Sequence, residues 1–318
     1  MHDNLARPAT HTDVAACVGG SLGGVINPLE RVRRAIGETV RSRVAGGDAE
    51  IRAERIWGAP GPRWHGPDDV IAHVNGDASM YSGGIAALLL QTLHPAAMAG
   101  VAGHSGYRSD PWGRLQRTAE FIAMTTFGRI DDAEALIERV KDIHLRVRGK
   151  TDLGEPYRAS DPHLLEWVHV AETWSFLLSF RHFGFRRLTD EEADEYVAQA
   201  APVGEMLGAL DLPRTLADLE RAMESYLPEL RVSPAARDTV DFILKSPPIP
   251  WLARPGYWML AAGAISLLPV WARRMLGLPT SVWFDRLVGF PLGKLSTNVL
   301  RWAMASVRRR PVHPGVGH

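Results

Sequence analysis

His144 is the residue whose type and setting point most directly to chemistry. From Asp131 to Gly149 the sequence reads as a helix, acidic at its start (Asp131, Asp132, Glu134) and basic at its end (Lys141, Arg146, Arg148), the polarity a helix dipole favours. Gly149 is its expected stop. Leu136, Val140, Ile143, His144 and Val147 recur at spacings of three and four, which turns the imidazole toward the apolar side. A buried imidazole is costly unless its nitrogens are satisfied; a hydrogen-bonded structural role or axial ligation of a haem iron would each do so. Taken alone, the structural role is the more frequent. Arg148 lies one turn on, and in a helix opening at Asp110 the residues Arg114, Arg117 and Thr118 share a face. A haem needs an apolar wall, one imidazole, and cations or hydroxyls for its two carboxylates, a set these two helices contain. Surface ion pairs of the same arginines with Asp110, Glu120 and Asp142 satisfy the spacing equally well.

Other histidines offer a different chemistry. His94 and His104 flank the end of an apolar run, Asp77 to Gly103, with His94 directly before Pro95, where a kink is expected. One of them could face a distal pocket or a substrate, against the commoner fate of a satisfied structural histidine. Glu166-x-x-His169 has the spacing by which a helix offers two ligands to a di-iron centre, but it occurs once where that architecture needs two copies. His94, His104, Glu166 and His169 form the ligand set of an alternative, a non-haem iron oxidoreductase. The single cysteine, Cys17, excludes an internal disulfide and any Cys-rich zinc or iron–sulfur site. Gly19 to Gly24 lacks the Lys-Ser/Thr ending of a phosphate loop, and there is no Gly-x-Ser-x-Gly elbow.

The elements that must position these residues are helical almost throughout. Asp110-Pro111 and Asp161-Pro162 are N-caps followed by proline, predicting helices to about Thr126, closed by Gly128, and from His163 to His182. Thr189 to Glu192 is a capping box, and Ser233-Pro234 opens another helix. The expected fold is therefore all-α, one multi-helix domain over residues 25–305, with loose ends at 1–24 and 306–318. The 318 residues are 46% apolar and 23% charged, and 36 Lys and Arg balance 36 Asp and Glu. That balance lacks the basic excess of a nucleic-acid binder and favours a neutral or apolar partner. Nothing before Gly24 reads as a secretory leader, so the expected address is the cytoplasm. Pro255 to Ala272 holds 18 uncharged residues between arginines, at the lower edge of a spanning length. A buried core helix, one lying on a bilayer and one crossing it share that pattern, leaving peripheral membrane contact through 255–274 open.

The spaced motifs Leu93-His94-Pro95, His104-Ser105, Asp110-Pro-Trp-Gly-Arg-Leu-Gln-Arg-Thr118, Thr125-Thr-Phe-Gly128, Ile143-His-Leu-Arg-Val-Arg-Gly149, Tyr157-Arg158 and Trp167-Val-His169 occur in an order that resembles the MpaB/rubber-oxygenase (latex clearing protein) family, over roughly residues 50–280. The resemblance implies an all-helical fold with a globin-like core. It also implies haem b, and cleavage of carbon–carbon double bonds of isoprenoid or terpenoid-like substrates by dioxygen. By that resemblance His144 matches the proximal haem ligand, and Arg148 an arginine of the same helix. Arg114 and Thr118 match the Arg-x-x-x-Thr pair beside the haem. Arg117 stands where rubber-degrading members have a lysine that can act as distal ligand; a guanidinium does not deprotonate and cannot take that role. The catalytic base of rubber cleavage has no clear counterpart, and an extracellular polymer suits a chain without a leader poorly. A non-enzymatic haem or lipid carrier of the same fold is the remaining alternative.

Overall fold

The computed structural model describes residues 27–104 and 108–307, with the backbone alone of His104. Cys17, the Gly19–Gly24 run and the expected loose end at 1–24 lie outside the described residues, as do 308–318 of the other end and the side chain of His104. The chain is all-α, as the punctuation predicts. Its helices are α1 (Pro28–Ala45), α2 (Ala49–Ala53) running into a π turn, α3 (Val70–Asn75), α4 (Met80–Gln91), α5 (Pro95–His104), α6 (Pro111–Phe127), α7 (Ile130–Arg146), α8 (Pro162–Phe183), α9 (Asp190–Leu207), α10 (Leu216–Ser225), α11 (Pro234–Leu244), α12 (Arg254–Leu267), α13 (Val270–Met275), α14 (Val282–Phe284) and α15 (Phe290–Met304). The caps work as their chemistry requires: Asp110 accepts from Gly113 N–H, Asp161 from His163 N–H and Ser233 from Ala236 N–H, and Thr189 with Glu192 closes a full capping box.

At the centre lies α8, buried nearly all round through Trp167, Val170, Ala171, Phe176, Leu177, Phe180 and Phe183. It packs along α4 and touches α9, α10, α12 and α15. The apolar run from Asp77 does not merely kink at Pro95: α4 and α5 are separate helices bent 109° from one another. Two features break the run. Thr92 Oγ1 turns back to the Leu89 carbonyl, and Pro95, lacking an N–H, starts a new helix while His94 Nδ1 accepts the N–H of Ala96. The start of α4 is locked by Asp77, whose oxygens accept from Arg301 on α15 at 2.8 Å each and from Ser79 N–H at 2.9 Å. Burial alone would raise this carboxyl, but Arg301 and Ser79 outweigh it and hold it below the usual carboxylate range.

Two expectations are corrected. Gly149 is not a helix stop: α7 ends at Arg146, Val147 turns extended, and Arg148–Lys150 (β1) pairs antiparallel with Pro156–Arg158 (β2). Arg148 therefore leaves the helix that carries His144. The uncharged stretch from Pro255 ends as a helix at Leu267, because Pro269 cannot continue it; Ala261, Gly263, Ala264, Ser266 and Leu267 are buried against α4 and α15. It is a core helix along that face. Among the described residues no single helix is long and apolar enough to cross a membrane, and α4 with α5 passes the same test only as a bent pair.

Candidate active site

The two helices with the spaced arginines and His144 are neighbours for a local reason. Gly128 and Arg129 alone join α6 to α7, so the second helix returns antiparallel along the first. Near the joint Met124, Phe127, Ala133 and Leu136 gather in one apolar cluster with Ile56 and Trp64. The buried face of α7 is Ala133 and Ile137, continued by half-buried Val140 and His144, at spacings of four, three and four. Ile143, expected in that stripe, is instead 45% exposed: it stands about 100° round the helix from His144, off the line through Ala133 and Ile137.

His144 is the chemically unusual member. Its Nδ1 is buried without a hydrogen-bond partner, and burial lowers its pKa below the ordinary imidazole value. The ring is thus neutral at neutral pH, the form that donates a lone pair to a metal. Of its expected companions, Arg114 is half-buried on α6, while Arg117 and Thr118 are exposed. Arg117 pairs with Asp110 at 3.3 Å, as the surface-pair reading has it, whereas Glu120 is taken by Arg52 at 3.5 Å. Arg148 stands directly across the β ladder from Arg158. Tyr157, next in β2, is buried against Gly100, Gly103 and Gly149, and its hydroxyl donates to the Ala99 carbonyl at 3.3 Å. Alternation along the strands then turns both guanidinium groups away from α5. Neither has a carboxylate in ion-pair distance among the described residues, and like charges directly opposite are unfavourable until an anion joins them. Arg158 was not singled out as a site residue by its type; only the strand register places it beside Arg148.

His94 lies at the break between α4 and α5. Its Nδ1 caps α5, its ring sits among Trp167 and Tyr226, and its buried Nε2 is 3.7 Å from Glu229, beyond hydrogen-bond reach. Burial lowers its pKa, Glu229 partly opposing. Glu229 also takes a 2.9 Å bond with His163 Nε2. Glu166 turns to this same cluster with Tyr226 and His163, whereas His169 bonds Thr173 Oγ1 at 3.3 Å and packs on Gly204. His169 thus has other partners than His94 and Glu166, and among the described residues no three His, Cys, Asp or Glu side chains come together as metal ligands.

A second polar group sits along α8. Burial, with Arg214 adding, takes His169 down to about 4, and burial takes Glu172, one turn on, up to about 7. The Tyr196 hydroxyl is pushed above its ordinary range by burial and by Glu172. Sequence reasoning passed over Glu172 and Tyr196, although a glutamate inside the apolar run of α8 was the available signal. Two open clefts among the described residues, ≈ 380 Å³ beside Asp211, Asp218 and Arg221 and ≈ 280 Å³ between Trp174, Met223 and Trp271, include none of the expected site residues.

Comparison with known proteins gives one result. Residues 72–309, about three quarters of the chain, match the family model described as "ER-bound oxygenase mpaB/B'/Rubber oxygenase, catalytic domain". No curated protein and no solved structure matches. The matched span runs from α3 to the end of α15 and contains His94, Arg114, Arg117, Thr118, His144 and Arg148. The chain belongs to the mpaB/rubber-oxygenase family, whose shared unit is an oxygenase catalytic domain.

Proposed function

We propose that the protein is a haem b-dependent oxygenase acting on a hydrophobic substrate with a carbon–carbon double bond, of the isoprenoid or terpenoid class. The observation that carries this reading is the buried, unpartnered Nδ1 of a neutral His144 on the α6-facing helix. A structural histidine in such a setting finds a hydrogen-bond partner; a neutral imidazole held without one is suited to a metal-bearing ligand. The residue types suit a haem: one imidazole for the iron, and cations at Arg114, Arg148 and Arg158 for its carboxylates.

His144 would hold the iron, and Arg114, Thr118 and Arg148 would orient the carboxylates of the macrocycle by charge-assisted hydrogen bonds. Bound haem supplies a redox-active iron for dioxygen chemistry. Arg117 contributes no iron ligand, because its guanidinium keeps its protons; in the structure it anchors Asp110 and so the cap of α6. His94 is offered as a neutral polar group of a substrate-side wall, with Trp167 and Tyr226 behind it. Cleavage of a double bond by dioxygen balances without an added reductant, since both oxygen atoms end in the two carbonyl products.

The test is an absorption spectrum of protein expressed with iron and a haem precursor, oxidised and then reduced under carbon monoxide. The reading expects a Soret band that shifts with carbon monoxide, then oxygen uptake with unsaturated isoprenoids. A folded protein that takes up no haem overturns the reading. A haem protein that consumes no dioxygen across such substrates reduces it to a haem-binding protein of this fold.

A further inference from the structure

From Val282 to Met304 the backbone is helical without interruption, through α14, a π turn at Asp285–Gly289 and α15. One side of this long helix is packed: Gly289, Gly293, Ser296, Thr297, Leu300 and Ala303 are buried. The other presents apolar side chains to solvent. Leu295, Val299 and Trp302 recur at four and three residues and form one stripe, which Trp283 and Leu287, both 69% exposed, extend toward the amino end. Two other helices widen the ridge. Arg33 of α1 donates to the Trp302 carbonyl at 2.9 Å with its guanidinium over that ring, and Leu29 and Val32 beside it are exposed. Gly263 lies against Gly293 and Ser266 against Gly289, so α12 runs antiparallel to α15. Its start, with exposed Trp258, Trp251 and Leu252, therefore reaches toward the Trp302 end.

An exposed apolar stripe along one face of a helix this long marks an interaction site. Charge identifies the partner. The chain as a whole is neutral, yet among the described residues positions 251–307 hold six Lys and Arg against a single acidic residue, Asp285, with Arg301 of the six paired to the buried Asp77. Asp285 is itself held by Arg273 at 2.7 and 3.1 Å, and Arg286 stands exposed within the ridge. A two-fold dimer through this face would set the same positive region against itself, which is unfavourable. An apolar, tryptophan-rich face in a basic setting is the combination that seats a helix in the plane of an anionic bilayer.

We infer that the ridge of the Val282–Met304 helix, widened by α1 and the start of α12, is a docking face for an anionic lipid bilayer. The inference does not depend on the haem reading.

The test is flotation of the full chain with phosphatidylcholine vesicles, with and without about one third phosphatidylglycerol. Wild type floats at least tenfold more with the anionic vesicles, the difference shrinks in high salt, and its tryptophan emission shifts to the blue on binding. Leu287→Glu with Leu295→Glu lowers the bound fraction at least tenfold at unchanged circular dichroism. Leu210→Glu, at an exposed leucine outside the ridge, leaves it unaltered. Arg286→Glu, which keeps the apolar stripe, lowers it severalfold with anionic vesicles alone. Absence of flotation, equal flotation of the double variant, or a dimer in sedimentation that the double variant dissociates would each overturn the inference.

Discussion

Two histidines on helices consecutive in the chain have opposite settings. His169, in the middle of α8, bonds Thr173, packs on Gly204 and is carried to a pKa of about 4 by burial and by Arg214. His144, in the last turn of α7, is also neutral through burial, but its Nδ1 has no partner and its sequence neighbours Ile143 and Leu145 stand in solvent. The first is an interior group completed by the fold. The second has unused bonding capacity at the rim, which is what the proposed haem ligation would draw on.

The variants that sharpen this contrast differ in size. The largest loss falls on the interior: Asp77→Ala leaves the Arg301 guanidinium facing buried backbone and costs about 3 kcal/mol, read by denaturant unfolding. His169→Ala follows at about 2 kcal/mol, from a lost hydrogen bond and an unfilled space, with haem content unchanged.

Glu172 gives a pH signature of the same interior. Its folded pKa of about 7 lies above the roughly 4.3 of an unfolded glutamate, so the protonated carboxyl stabilises the fold fully below about pH 4. That contribution is lost as the pH rises through about 7. Glu172→Gln should therefore match wild type at pH 4 and exceed it at pH 8 by about 2 kcal/mol, discounted for a side chain that is only half-buried. His169 works the other way: its contribution is complete above about 6.5 and is lost as the pH falls through about 4. The smallest effect is at the rim, where Asp110→Ala removes the cap of α6 and the Arg117 pair for about 1 kcal/mol, seen as a drop of a few degrees in Tm.

Much of this was legible in the chain itself, because capping chemistry is local. Asp110, Asp161, Thr189 and Ser233 each mark a helix start that the structure keeps, and Gly128 marks a stop. The features that escaped depend on contacts distant in sequence. The 109° break between α4 and α5 needs Pro95 together with the Leu93 carbonyl, which accepts from Arg231 N–H. The β1–β2 pair is three residues a side and polar, too short for alternation to reveal, and it moves Arg148 off the helix of His144. Helical spacing placed His144 on the inner face correctly, but could not decide between two stripes differing by one position, and so drew Ile143 inward. Glu172 and Tyr196 meet across α8 and α9, a pairing no local pattern contains.

The account's central claim rests on one side chain. The most direct measurement is the Soret spectrum of His144→Ala beside His169→Ala, each grown with iron and a haem precursor and checked for folding by circular dichroism. The account predicts that His144→Ala is folded with its Soret band lost or shifted away from an imidazole-ligated form, while His169→Ala keeps the wild-type spectrum at reduced stability. A His144→Ala protein with wild-type haem content and spectrum would contradict it.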